Sequence, residues 1–197
     1  MTKHRLEAFS DGVFAIIITI MVLELRVPEA AGVDALTAGP QHLHLKFICY
    51  VLSFVHVAIY WNNHHHLLHA SRRVTASIMW ANMHLLFWLS LVPITTGWMG
   101  DSHLAALPTA VYGVDLLLAA VAYTILFKTL VAAQGDHSKL AQAVGRDLKG
   151  KASLACYALA IPLAFVRPWI AGAIYVLVAL IWLVPDRRIE RAVLNPK

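Results

Sequence analysis

The amino-acid sequence predicts an all-α integral membrane protein of six transmembrane helices, organised as one domain over residues 1–197. Three observations carry that expectation. Hydrophobic residues make up 59% of the chain and charged residues 14%, and the mean hydropathy is +0.66, well outside the range of ordinary soluble domains. The apolar residues are gathered into six runs divided by proline, glycine and charged residues. Lysine and arginine concentrate in alternate connections between the runs, as threading back and forth across a bilayer requires.

The first run, residues 6–25, is long enough to cross a hydrocarbon core of about 30 Å and stops before Pro28. A second run over residues 43–68 carries Lys46 near its start, where a long side chain can snorkel, and ends in a cluster of His64, His65, His66 and His69. Arg72 and Arg73 close the turn that follows. The third run, residues 74–99, holds Asn82 and His84, and Pro93 near its far end predicts a kink. After a short link without lysine or arginine, the fourth run covers residues 104–130, with Pro108 in its first turns and Asp115 inside the apolar stretch. Residues 134–151 read as a long polar loop. The last two runs, residues 152–166 and 169–184, are short and form a hairpin about Arg167 and Pro168 that barely crosses without local thinning of the bilayer.

Six spans put both termini on one side. Thirteen basic residues fall there (Lys3, Arg5, Arg72, Arg73, Lys128, Lys139, Arg146, Lys149, Lys151, Arg187, Arg188, Arg191 and Lys197), against Arg26, Lys46 and Arg167 opposite. The excess places the termini in the cytoplasm and accounts for the net charge of +5 without a nucleic-acid partner. Cys49 and Cys156 lie in apolar runs and are expected as free buried thiols. A cleaved signal peptide is the other reading of the first run, but Ser10 and Asp11 interrupt it and Glu24 and Arg26 precede the small residues, so it is kept as a mature helix. No nucleophile elbow, Walker loop or dinucleotide glycine pattern occurs, and no enzyme is expected.

Projected at about 100° per residue, the first run has two faces. Phe9, Gly12, Ile16, Thr19, Ile20 and Leu23 share one stripe, with Arg5 at its near end, whereas Ser10 and Asp11 point elsewhere. An ionisable group in or beside a span is costly, so the Ser10 and Asp11 side reads as hydrogen-bonded to other helices of the same chain. The stripe itself is compatible with lipid contact, burial in a bundle, or the lining of a narrow dry passage.

The histidines invite a metal. A membrane di-iron enzyme needs several histidine boxes supplying about eight imidazoles, and this chain has one box, with His56 one or two turns earlier and His84 on the next run. His66 and His69 share a helical face and remain candidates for a peripheral metal contact; packing histidines are the plainer reading, and neither metal nor cofactor is expected. Asp115 suits either a hydrogen-bonded helix contact or the proton carrier of a secondary transporter. Glu24 falls near the outer interface, solvated or rimming an outer mouth.

Arg5 followed by Phe9-Ser10-Asp11-Gly12-Val13-Phe14-Ala15-Ile16, together with Trp61-Asn62-Asn63-His64-His65-His66, resembles the bacterial single-repeat form of the transmembrane protein 175 family of potassium channels. The layout of six runs is similar over essentially the whole chain. The resemblance implies a homotetramer in the cell's inner membrane, with four copies of the first helix around a central pore that passes potassium, and other monovalent cations less well, without a cofactor. On this chain the implied hydrophobic gate is Ile16, Ile20 and Leu23, with Thr19 between the apolar rings. The T-V-G-Y-G filter of ordinary potassium channels is absent, so the implied selectivity is modest, arising from partial dehydration at the constriction with help from Thr19 hydroxyls. The resemblance also implies an inter-helix lock in which Arg5, Phe9, Ser10 and Asp11 meet Trp61, His64 and His65, with Asn82 or His84 from the third run. The run Ile16-Ile17-Ile18 is bulkier than the alanine-containing versions of the family, which bears on the packing behind the gate. The alternatives are a proton-coupled transporter using Asp115 and a histidine-dependent membrane metalloenzyme.

Overall fold

The computed structural model describes residues 2–25, 40–69, 71, 74–134 and 148–183, and every regular element among them is helical. In chain order these are α1 (Lys3–Met21), prolonged by a 3-10 turn (Val22–Glu24), α2 (Pro40–His69), α3 (Ala76–Asp101), α4 (Ala106–Gln134), α5 (Leu148–Val166) and α6 (Pro168–Leu183). The first five are long and apolar enough to cross a membrane. The sixth has 16 residues and reaches only about 24 Å. Much of the charge on which the expected topology rests, including Arg26, Arg72, Arg73, Lys139, Arg146 and the basic tail after Leu183, lies outside the described residues.

The helix ends follow local chemistry. Thr75 caps α3, its hydroxyl accepting the Ile78 amide at 3.3 Å. The α3–α4 link reverses the chain in few residues because His103 and Leu104 both adopt left-handed φ values of 54° and 58°. A single residue, Arg167, joins α5 to α6, and Pro168 occupies the first position of α6, where its missing N–H costs nothing. Pro93 lies in the interior of α3 and is buried.

Helices in lipid gain nothing from burying apolar surface against one another, so close van der Waals contact and inter-helix hydrogen bonds must hold them. The residues are chosen accordingly. α4 packs on α3, α5 and α6, and alanines fill the contacts: Ala119 and Ala122 on α4, Ala160 and Ala164 on α5, Ala171 on α6, all fully buried. Gly113 of α4 leaves the space that the Tyr175 ring of α6 occupies, and the Tyr175 hydroxyl donates to the Thr109 carbonyl at 3.0 Å. Between α2, α3 and α4 the hydroxyls of Ser53, Thr96 and Tyr112 are linked at 2.7 and 2.9 Å. Cys49 is buried in α2, Cys156 is half-buried in α5, and both are free thiols.

The first helix stands apart. It packs on α2 and α3, burying Leu6, Ser10, Phe14, Ile17 and Met21. That 4-4-3-4 spacing is one stripe of a helix, so the remaining side of α1 faces away from its own bundle.

The open stripe of the first helix and the hydrogen bonds behind it

Ser10 is completely buried on the packed side of α1. Its hydroxyl donates to the Leu6 carbonyl at 2.9 Å and accepts the Asn82 amide of α3 at 3.0 Å. The Asn82 carbonyl oxygen in turn accepts His64 Nε2 of α2 at 2.6 Å. The three side chains form a directional chain of donors from α2 through α3 to the backbone of α1, and the His64 ring also packs against Phe14 with centroids 5.3 Å apart. Nearer the rim, Trp61 Nε1 donates to Asp11 Oδ1 at 2.9 Å. A buried polar group left unpaired in a bilayer is expensive, so this chain sets the rotation of α1 about its axis.

The opposite face is open. Ile16 is 58% exposed and Leu23 72% exposed, with Ile20 and Val22 nearly half exposed between them and Phe9 nearly half exposed two turns before Ile16. A side chain added at Gly12 would meet nothing within 4 Å. Thr19 is exposed as well, its hydroxyl donating back to the carbonyls of Ala15 and Ile16 at 2.9 and 3.0 Å. That back-bond uses the proton and leaves an oxygen lone pair directed away from the helix. Leu23 belongs to the 3-10 turn rather than to the α-helix expected through residue 25, because the chain tightens after Met21.

Several residues expected in the lock lie elsewhere. Arg5 and Phe9 sit a turn apart on the exposed stripe, and Arg5 has no hydrogen bond or ion pair among the described residues. His65 is exposed and stacks along its own helix, on Trp61 at 6.1 Å and on His69 at 6.2 Å. His84 accepts Trp88 Nε1 at 2.9 Å, also within one helix. Helical spacing explains the two histidines: residues four apart meet on the same helix before they can reach another.

Other contacts, not expected from the sequence, hold the two ends of α1. Lys3 Nζ donates to the His69 carbonyl at 2.6 Å, tying the start of α1 to the end of α2. At the other end the missing side chain of Gly97 on α3 makes room for the Glu24 carboxylate. Beside it, Lys46 passes over Gly100 to pair with Asp101 at 2.5 Å, so this lysine is engaged by α3 rather than merely snorkelling. The recurrence of Gly97 and Gly100 one turn apart near a helix end was the available hint.

Among the described residues no group of three or more His, Cys, Asp or Glu converges as a metal site, His66 and His69 included. Asp115 is buried between α3 and α4, where Thr95 Oγ1 donates to its Oδ2 at 3.0 Å.

These features define a multi-pass α-helical membrane protein with a two-sided first helix. Residues 5–93 match the family model described as endosomal/lysosomal potassium channel TMEM175. The chain is 53% identical, over 98% of its own length and 98% of the relative's, to a potassium channel of Chryseobacterium sp. strain P1-3. It is 35% identical to a potassium channel of Streptomyces collinus over 62% of each chain. Its fold is similar to the crystal structure of a lysosomal potassium-selective channel TMEM175 homolog from Chamaesiphon minutus, with a TM-score of 0.78 and 25% identity over 93% of this chain and 97% of that one. The chain belongs to the TMEM175 family, whose members are ion channels and not enzymes.

Proposed function

We propose that this protein is a potassium channel that conducts passively, with K+ preferred modestly over Na+ and no cofactor. The observation that carries the reading is the two-sidedness of α1. One face is hydrogen-bonded into its own bundle through Ser10 and Asp11, and the other leaves Ile16, Thr19, Ile20 and Leu23 exposed in the protomer. One helix cannot enclose a passage, so a closed ring of copies is required, and a homotetramer with α1 at its axis is the assembly proposed. Rings of Ile16, Ile20 and Leu23 form an apolar constriction that dewets when narrow and conducts when α1 tilts or rotates. Thr19 oxygens between those rings partly replace the water a cation sheds there. The hydrogen bonds joining Ser10, Asp11, Trp61, His64 and Asn82 act as the lock that holds α1 at its closed angle. Asp115 serves as a contact between α3 and α4. The names of the bacterial relatives support the permeant ion, and the thirteen-to-three distribution of basic residues supports an inner-membrane protein with both termini in the cytoplasm.

The test is the reversal potential of the purified protein in a planar bilayer with potassium on one side and sodium on the other. A stable current reversing toward the potassium equilibrium potential is expected. Flux appearing only under a proton gradient would overturn the reading.

A further inference from the structure

Two further open faces flank the first helix. α1 packs on both α2 and α3, which also pack on each other, so it lies in the groove between them. On α2, Phe47, Phe54 and Trp61 are exposed, and helical arithmetic turns them about 60–100° from His64, which points to α3. On α3, Phe87, Ile94 and Trp98 are exposed, turned about 120–160° from Asn82, which points back to α2. The two faces splay apart on either side of α1, like the flanks of a wedge.

The other helices show what a lipid-facing surface looks like in this protein. Between Leu107 and Ile125 of α4, Ala152 and Val166 of α5, and Ala173 and Leu183 of α6, every exposed side chain is apolar. The flanks of α1 differ. Asn62 of α2 and His84 and Ser90 of α3 are exposed, yet they lie within about 11 Å of the middle of their helices, inside a hydrocarbon half-thickness of about 15 Å. Polar side chains at that depth belong against other helices, where they find hydrogen-bonding partners that lipid tails cannot supply.

We propose that the open face of α2 docks on the open face of α3 of the next copy, so that the copies join head to tail. This docking rests on the reading of α1 as the pore helix: with its stripe on the axis, the faces beside it are brought against neighbouring copies. A heterologous contact repeated around an axis closes a ring. Rotation about an axis normal to the membrane keeps every residue at its own depth, so residues level within one copy stay level between copies. Hydrogen bonds from Thr96 to Ser53 and between His64 and Asn82 fix that level. One residue beyond Ser53, Phe54 lies level with Thr95 and Ile94, and two before His64, Asn62 lies level with His84. Phe54 therefore packs near Ile94 of the next copy, and Asn62 comes beside its His84.

The test uses the full-length protein carrying Cys49→Ala and Cys156→Ala, oxidised in membranes with copper phenanthroline. Phe54→Cys combined with Ile94→Cys should link copies into a ladder that ends at four. Each of these cysteines alone should give no dimer, because a heterologous contact does not set a residue against its own equivalent. Phe54→Cys with Met83→Cys, about 17 Å apart in depth, should give none either. Ile20→Cys on α1 separates the interface from the ring. Copies linked through Ile20→Cys but not through the Phe54 and Ile94 pair would keep the ring and overturn this interface. Absence of links by either route would overturn both.

Discussion

Ile16 is the side chain at which the proposed gate meets its sharpest test, since it projects from the middle of α1 with no partner in its own protomer. Ile16→Asn keeps the constriction wet and should raise resting potassium leak in proteoliposomes by about tenfold, equivalent to ~1.4 kcal/mol off the barrier. An unchanged leak removes Ile16 from the gate. Thr19→Ala should lower potassium preference while flow continues, read as a shift of the bi-ionic reversal potential toward zero. On the packed side, Asn82→Leu strips Ser10 and His64 of their shared partner at once. It should destabilise the protein by about 2 kcal/mol, read as a fall in the unfolding midpoint in detergent. Ser10→Ala removes both bonds of the hydroxyl and leaves the buried Asn82 amide unpaired, and should cost about as much. The bearing of these residues was partly legible beforehand. Ser10 and Asp11 project off the Ile16 stripe by helical arithmetic alone, whereas the choice of Asn82 over His84 as the α3 partner required knowing how deep α3 sits beside α1.

Whole helices are positioned by small residues and by bonds at their ends. Gly113 admits the Tyr175 ring between α4 and α6, so Gly113→Val overpacks that contact and should cost about 1–3 kcal/mol, again by thermal unfolding. The Lys46–Asp101 pair joins the start of α2 to the end of α3, with the lysine side chain 11% exposed and the aspartate 52% exposed. Solvent at the aspartate screens the pair, so Asp101→Asn should lower stability by less than about 1 kcal/mol, and the difference from wild type should shrink at high salt. Helix positions were legible because hydropathy and proline placement are local. The 3-10 ending of α1 and the left-handed turn at His103 and Leu104 were not, because neither is imposed by the residue types present there.

For the molecule as a whole, the proposed ring seats the open stripe of α1 against further copies of the same chain. Chemical cross-linking of the purified protein should ladder to four copies and stop. Ile20→Cys should give cross-links between copies, whereas a cysteine at Ile17, which is 4% exposed, should give none. A ladder ending at two would reject the proposed ring.

Hydropathy and helical periodicity were enough to establish an all-helical membrane protein, the order of its spans, and the division of α1 into a polar-bonded side and an apolar stripe. Each of these depends on residues within a few turns of one another. Trp61 and Asn82 were among the candidates the resemblance named, but the particular pairings, Asn82 with Ser10 across 72 positions and Trp61 with Asp11 across 50, emerged only once the helices were packed. So did the Asp101 partner of Lys46. Which side chains meet across two helices depends on their relative rotation and depth, and those are set jointly by every small residue and hydrogen bond in the bundle rather than by any one stretch of chain.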